Sequence, residues 1–240
     1  MPSAIHYRLL GQAVTFSLHA GNCVAMFLNM QNEVLLRDHK IRDMVSLQSR
    51  YLTVWNIVFQ MVYFSLAFAC DVTTVTGKES LIPKTLRQFR QRFFAAVIFP
   101  VAVLIFTIFW PFFIYDRELL FPAFIDKIFS FESNLVMHFS ILPAVIWELA
   151  FLQRPIPKSH KINYVIVTLI NIVYNSLLVH TYLQRGLFPY PIFYMVFGTI
   201  FFPILLGVVY ITSISIYIYQ WKLTAFFWGQ EKKKSKSKRK

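Results

Sequence analysis

Phe93-Phe-Ala-Ala-Val-Ile-Phe-Pro-Val-Ala-Val-Leu-Ile-Phe-Thr-Ile-Phe-Trp-Pro-Phe-Phe-Ile-Tyr115 runs for 23 residues without a charge. As a helix it is about 35 Å long, enough to cross the hydrocarbon of a bilayer, where a single segment must close all its own backbone hydrogen bonds. The stretch therefore sets the class: an all-α membrane protein. Working outward, five further apolar stretches of spanning length lie near Leu9–Asn29, Tyr51–Asp71, Glu132–Leu152, Ile162–Gln184 and Pro191–Trp221. The last is long enough to tilt or to include an interfacial end. Six transmembrane helices are expected. With 57% hydrophobic and only 15% charged residues, the 240-residue chain has too little polar surface for a soluble domain. Residues 1–230 read as one membrane domain with short loops, and residues 231–240 as a basic tail.

The net charge of +13 comes from basic residues lying between the apolar segments and in the tail, not from a stripe interleaved with aromatics, so no nucleic-acid partner is expected. Lys and Arg accumulate on the cytoplasmic side of membrane proteins. The segments that share a side with the N-terminus hold 17 of the 24, eight of them from Lys222 onward, and the opposite side holds seven. Both termini are thus expected in the cytoplasm. The first span is too long for a secretory signal and lacks a clear cleavage site, so it reads as a retained helix. In the tail, Lys236 and Lys238 stand fifth and third from the end. That spacing resembles the dilysine signal read by retrieval coats, which would favour the endoplasmic reticulum or another endomembrane over the plasma membrane. Attraction of the same lysines to anionic headgroups is the plainer reading.

Polar side chains within spans should face the bundle interior. In the first span Gln12, Thr15, His19 and Asn22 recur at helical spacing on one face, and in the second Thr53, Asn56, Gln60 and Asp71 do the same. The fourth carries Asn134 and His138 one turn apart. The fifth has Thr168, Asn171 and Asn175 on one stripe and Ser176 and His180 on another. The third and sixth, almost wholly aliphatic and aromatic, are expected to be outer or supporting helices. For each Asn, Gln or Thr the simplest role is an interhelical hydrogen bond. Depth is more selective: in the six-span topology Thr53, His138 and His180 all lie within about 10 Å of the lumenal face.

A threonine hydroxyl becomes a nucleophile when a neutral imidazole within hydrogen-bond reach takes its proton. A shallow intramembrane Thr–His pair suits a lipid ester, whose polar bond sits at the headgroup boundary. Gly-x-Ser-x-Gly, His-Glu-x-x-His, P-loop and dinucleotide-binding patterns are all missing from the sequence, so no cofactor or metal is expected. Glu148 is too far along its helix to share a ligand with His138 and is expected to pair with Arg154 or to snorkel.

Three stretches also carry a resemblance: Arg50-Tyr-Leu-Thr-Val-Trp-Asn56, Leu135-Val-Met-His-Phe-Ser-Ile-Leu-Pro143 and Val179-His-Thr-Tyr-Leu-Gln-Arg-Gly-Leu-Phe-Pro-Tyr-Pro191. Their order and spacing resemble the androgen-induced gene 1 family. Its members are described as membrane hydrolases that use a threonine and a histidine to cleave fatty acid esters of hydroxy fatty acids. The resemblance implies Thr53 as nucleophile, His138 as base and a lipid drawn from the bilayer as substrate. This chain departs from the pattern at Phe188, where a tryptophan is expected, and in its long basic tail. An oxyanion donor or orienting group is also needed, for which Asn56, Asn134 and His180 are candidates. The competing reading is a transporter or lipid-binding membrane protein whose polar seams line a path. No similarity between the two halves supports it.

Overall fold

A computed structural model describes residues 4–237, with side chains placed for 4–229, so the proposed retrieval signal around Lys236 and Lys238 lies outside the described side chains. The helices are α1 (Ala4–Met30), α2 (His39–Ser46), α3 (Leu52–Val75), α4 (Lys84–Phe93), α5 (Phe99–Asp116), α6 (Phe131–His138), α7 (Ile141–Phe151), α8 (Lys161–Arg185), α9 (Ile192–Val196) and α10 (Phe201–Ser237). No strand occurs among the described residues. Five segments are long and apolar enough to cross a membrane: Leu52–Val75, Lys84–Leu119, Phe131–Phe151, Lys161–Arg185 and Phe201–Gly229.

At 27 residues α1 is also long enough to cross, but polar side chains dilute its apolar character. Its buried residues are Gln12, Thr15, His19, Asn22 and Met26, while Leu10, Val14, Phe16, Leu18, Val24, Phe27 and Leu28 face outward. The polar side is inward and the apolar side outward, the reverse of a helix on a water-soluble protein. The seam meets α3, whose Thr53, Asn56, Gln60 and Asp71 are likewise buried, and His19 Nε2 pairs with Gln60 Oε1 at 3.0 Å.

The expectation for the third span is overturned. In Lys84–Leu119 67% of the most apolar window is buried, against 11% in Phe201–Gly229, so the third span is the central post of the bundle and only the last is peripheral. Lipid is as apolar as a protein core, so a uniformly apolar sequence does not distinguish the two positions. The post is interrupted by a π-helical turn over Phe94–Ile98. Pro100 has no N–H to offer the preceding turn. Gln220 of α10 fills the gap, its Nε2 donating to the Ala95 carbonyl at 2.7 Å.

The other departures are breaks. The fourth span is two helices meeting at Phe139–Ser140, and the stretch Pro191–Trp221 comprises the short α9, a turn containing Gly198 at φ 80°, and α10. Only glycine adopts such a φ without strain.

One end of the bundle is held by charge. Asp71 of α3 accepts from Arg8 at 2.8 and 2.9 Å, from Arg90 at 2.9 and 3.2 Å and from Gln12 at 2.9 Å. Glu148 of α7 accepts from Arg90 and Arg154 at 3.1 Å each, from Tyr63 at 2.7 Å and from Gln12 at 3.1 Å. The Arg154 guanidinium lies 3.7 Å from the centroid of the Phe94 ring. The expected pairing of Glu148 with Arg154 is thus one edge of a network joining α1, α3, α4 and α7.

Candidate functional site

The opposite end of α3 begins abruptly. Tyr51 is extended (φ −82°, ψ 129°), α3 starts at Leu52, and Thr53 occupies its first turn. The Leu52 N–H has no helical carbonyl ahead of it, and two phenols accept it instead, Tyr174 of α8 and Tyr190, each at 3.0 Å. Tyr174 in turn donates to the Arg50 carbonyl at 3.1 Å. The start of the helix carrying Thr53 is therefore fixed from two other elements. Tyr190 lines the same cavity as Thr53 and His138.

His138 is the last residue of α6. Pro143 cannot continue the fourth span as an unbroken helix, because it lacks an N–H and crowds the Phe139 carbonyl one turn back. The Leu142 N–H bonds to Phe139 at 3.1 Å, which leaves the His138 carbonyl without its helical partner. The Trp110 indole supplies one, its Nε1 donating to that oxygen at 3.1 Å. The break thus sets the position of the imidazole, which is buried and stacks on Phe109 with centroids 3.6 Å apart and planes 9° off parallel.

His138 Nε2 lies 3.2 Å from Thr53 Oγ1. Nδ1 faces Asn134, 2.7 Å from Oδ1 and 3.3 Å from the backbone oxygen. A backbone carbonyl only accepts, so Nδ1 carries the proton whichever way the amide is turned. The lone pair of Nε2 then points at the Thr53 hydroxyl, which donates to it. This is the tautomer that a general base requires.

Of the other sequence candidates, Asn134 stands behind the imidazole as an orienting group, its oxygen turned toward the ring. Asn56 is fully buried on the α1 side, where its Oδ1 accepts from Gln60 at 3.5 Å. His180 is exposed and lines a separate groove with Asn175, Ser176, Val179, Leu183 and Leu206. Shared depth brings His138 to Thr53 but not His180, because depth does not fix the direction in which a helix turns each side chain. Sequence reasoning missed Tyr190, Tyr174, Trp110 and Phe109. The Tyr190-Pro191 pair had been noted only as part of a resemblance.

Thr53 and His138 open on a cavity of about 170 Å³. Its lining takes in Met26, Met44, Phe121 and Phe129 and, from α5, α8 and α10, Pro100, Val167 and Val209. The walls are mostly apolar; besides the Thr–His pair, Gln48, Asn171, Asn175 and Ser213 bring polar side chains to them.

The sequence matches the model of the FAR-17a/AIG1-like protein family over residues 8–224. It is 32% identical to the androgen-dependent TFPI-regulating protein of Rattus norvegicus over 76% of this chain and 78% of that one. The Homo sapiens protein of the same name is 28% identical over 79% of this chain and 81% of its own. The androgen-induced gene 1 protein of Homo sapiens is 27% identical over 52% and 57% respectively. No solved structure matches the chain. A match that takes in every element from the second turn of α1 into α10 places this chain in the FAR-17a/AIG1-like family.

Proposed function

We propose that this protein is an intramembrane lipid ester hydrolase, acting on fatty acid esters of hydroxy fatty acids through Thr53 and His138. One observation carries the reading. The Thr53 hydroxyl donates to a buried imidazole whose far nitrogen is held by Asn134, on the wall of a mostly apolar cavity. His138 takes the Thr53 proton as Oγ1 attacks the ester carbonyl, and the tetrahedral intermediate collapses to acyl-threonine. The departing alkoxide leaves as the alcohol with the proton from His138. Water, deprotonated by the same imidazole, then releases the fatty acid and restores Thr53.

The intermediate needs hydrogen-bond donors on its oxyanion. The Thr53 N–H lies in the first turn of α3 with no backbone acceptor. The Tyr190 hydroxyl accepts from Leu52, which leaves its own proton to donate. These two replace Asn56, Asn134 and His180 as donors. Trp110 and Phe109 act by positioning: one holds the broken helix end, the other the imidazole plane.

The same reading takes α1 as a sixth crossing, on the strength of its outward apolar face, and puts both ends in the cytoplasm, on the strength of the charge count. The basic tail would then be available to retrieval coats in an endoplasmic reticulum membrane.

Hydrolysis of such an ester by purified wild type, Thr53→Ala and His138→Ala tests the mechanism. Both variants should lose at least about 10³-fold in kcat, as expected when nucleophile or base is removed. Full activity in either would refute it. A fluorophosphonate probe should label wild type and not Thr53→Ala.

A further inference from the structure

The membrane-facing surface of α8 carries a feature that the hydrolytic mechanism does not use. Asn163 of this helix donates to Tyr217 at 3.0 Å, Thr168 pairs with Tyr210 at 3.0 Å, Asn171 bonds to the Val167 carbonyl at 2.9 Å and to Ser213 at 3.4 Å, and Thr181 donates to the Leu177 carbonyl at 2.7 Å. The side chains of Asn175, Ser176 and His180 make no hydrogen bond. Ser176 does not even return its hydroxyl to the carbonyl one turn back, as Ser65, Ser140 and Ser213 do. Ser176 and His180 are exposed and Asn175 is half-buried. His180 lies about 7 Å, and Ser176 and Asn175 about 14 to 15 Å, along the axis from the end of α8 at Arg185, the latter two well within the membrane by helical rise. Polar groups at that depth, turned outward and unbonded, are costly unless something meets them.

The place where they cluster is specific. α8 and α10 are stapled together along one half by Tyr217, Tyr210 and Ser213, whereas the half nearer Thr53 has a shallow, open groove along α8 that Leu206 of α10 borders. Asn175 and Leu206 line both this groove and the cavity that holds Thr53 and His138. Asn175 of α8 and Leu206 of α10 thus stand between the groove and the interior, touching both.

We propose that the α8–α10 groove is the lateral doorway through which lipid enters and leaves, and that Asn175, Ser176 and His180 hold the free carboxylate of a fatty acid chain there. The proposal rests on the hydrolase reading for the ester bond it delivers. The donor set fits the ligand: an amide N–H₂, a hydroxyl and an imidazole N–H can all donate, and a carboxylate only accepts. The ladder from His180 to Asn175 runs from the headgroup region into the bilayer, along the path an acid must take to move its ester linkage from the bilayer into the cavity.

The test compares two substrates that differ only in that group: an ester of a hydroxy fatty acid with a free carboxylate, and the same ester with the carboxylate capped as a methyl ester. Wild type should favour the free acid through KM by at least about tenfold, the worth of one hydrogen bond to a charged group. His180→Ala and the double variant Asn175→Leu/Ser176→Val should bring that preference close to one by raising KM for the free acid more than for the capped ester. An unchanged preference in both variants, or no preference in wild type, would overturn the assignment. A second arm does not depend on turnover. A photoreactive fatty acid in phosphatidylcholine vesicles should crosslink to peptides of α8 and α10 in Thr53→Ala protein, and lose that crosslink when His180→Ala is added. If wild type hydrolyses neither ester yet this pattern of crosslinking holds, the hydrolase reading fails and the doorway stands. Crosslinking elsewhere, or copy-to-copy crosslinks through a cysteine at position 180 that lipid does not displace, would refute the doorway.

Discussion

Replacing Glu148 by Gln should destabilise the fold far more than an isosteric change normally does. The carboxylate lies 1% exposed and accepts from Arg90, Arg154, Tyr63 and Gln12. With Asp71 it offsets three guanidiniums, those of Arg8, Arg90 and Arg154, so the buried cluster holds a net charge of +1 and the substitution raises it to +2. Arg90 would keep Asp71, but Arg154 would be left with the Tyr63 hydroxyl at 2.5 Å and the Phe94 ring. Removing one partner of a buried ion pair costs about 3–5 kcal/mol. For a chain of this size each kcal/mol moves Tm by roughly 2–4 °C, so Glu148→Gln should melt about 6–20 °C below wild type in detergent. Adding Arg154→Met, which removes the orphaned charge and keeps an unbranched chain against Phe94, should restore more than half of the loss. Asp71 and Thr53 are 18 residues apart on α3, about 27 Å along its axis, so labelling of Thr53 by a fluorophosphonate below the transition should proceed at the wild-type rate. A Tm within about 2 °C of wild type for Glu148→Gln alone would show that the network does not hold this end of the bundle.

Four further outcomes are expected. Asn134→Ala should lower kcat about 10- to 100-fold with little change in KM, because the backbone carbonyl at 3.3 Å still holds the tautomer but the closer oxygen at 2.7 Å is gone; steady-state kinetics on a lipid ester would check it. Tyr190→Phe should cost about 10²-fold in kcat as an oxyanion donor is lost, and an unchanged kcat would leave only the Thr53 N–H in that role. Gly11→Ala should destabilise by about 1–3 kcal/mol, since its Cβ would fall 2.3 Å from Trp147 Cδ1. Gly21→Ala on the same helix meets nothing within 4 Å and should be neutral or mildly stabilising in the same thermal melts.

The sequence made the seams legible because polar side chains at helical spacing stand out against an apolar background. Gln12 to Asn22 and Thr53 to Asp71 are buried as that pattern requires. The Thr53–His138 contact was reachable by adding topology, since depth could be counted from the span ends. Rotation could not be counted: His180 shares the depth of the pair but looks away from it, and the second stripe of α8 faces out. The central position of Phe93–Tyr115 was invisible for the opposite reason, its composition being equally suited to lipid and to core. The break after His138 was signalled by Pro143, but its consequence depended on Trp110 from another helix arriving to cap the freed carbonyl. Tyr190 likewise reaches the start of α3, at the Leu52 N–H, only because the chain turns back after Gly186, the left-handed cap of α8.

The reversed polarity of α1 bears on how the protein is made. During synthesis α1 leaves the ribosome before its partner α3 exists, and alone in lipid it would present Gln12, His19 and Asn22 to acyl chains. If α1 is the proposed sixth crossing, its weak hydropathy ties its insertion to the matching seam of α3, with His19 meeting Gln60 and Arg8 meeting Asp71. The two helices would then be a single unit of membrane integration. The end of α3 that carries Thr53 would take its place in the same event, which would link biogenesis of the first hairpin to assembly of the proposed site.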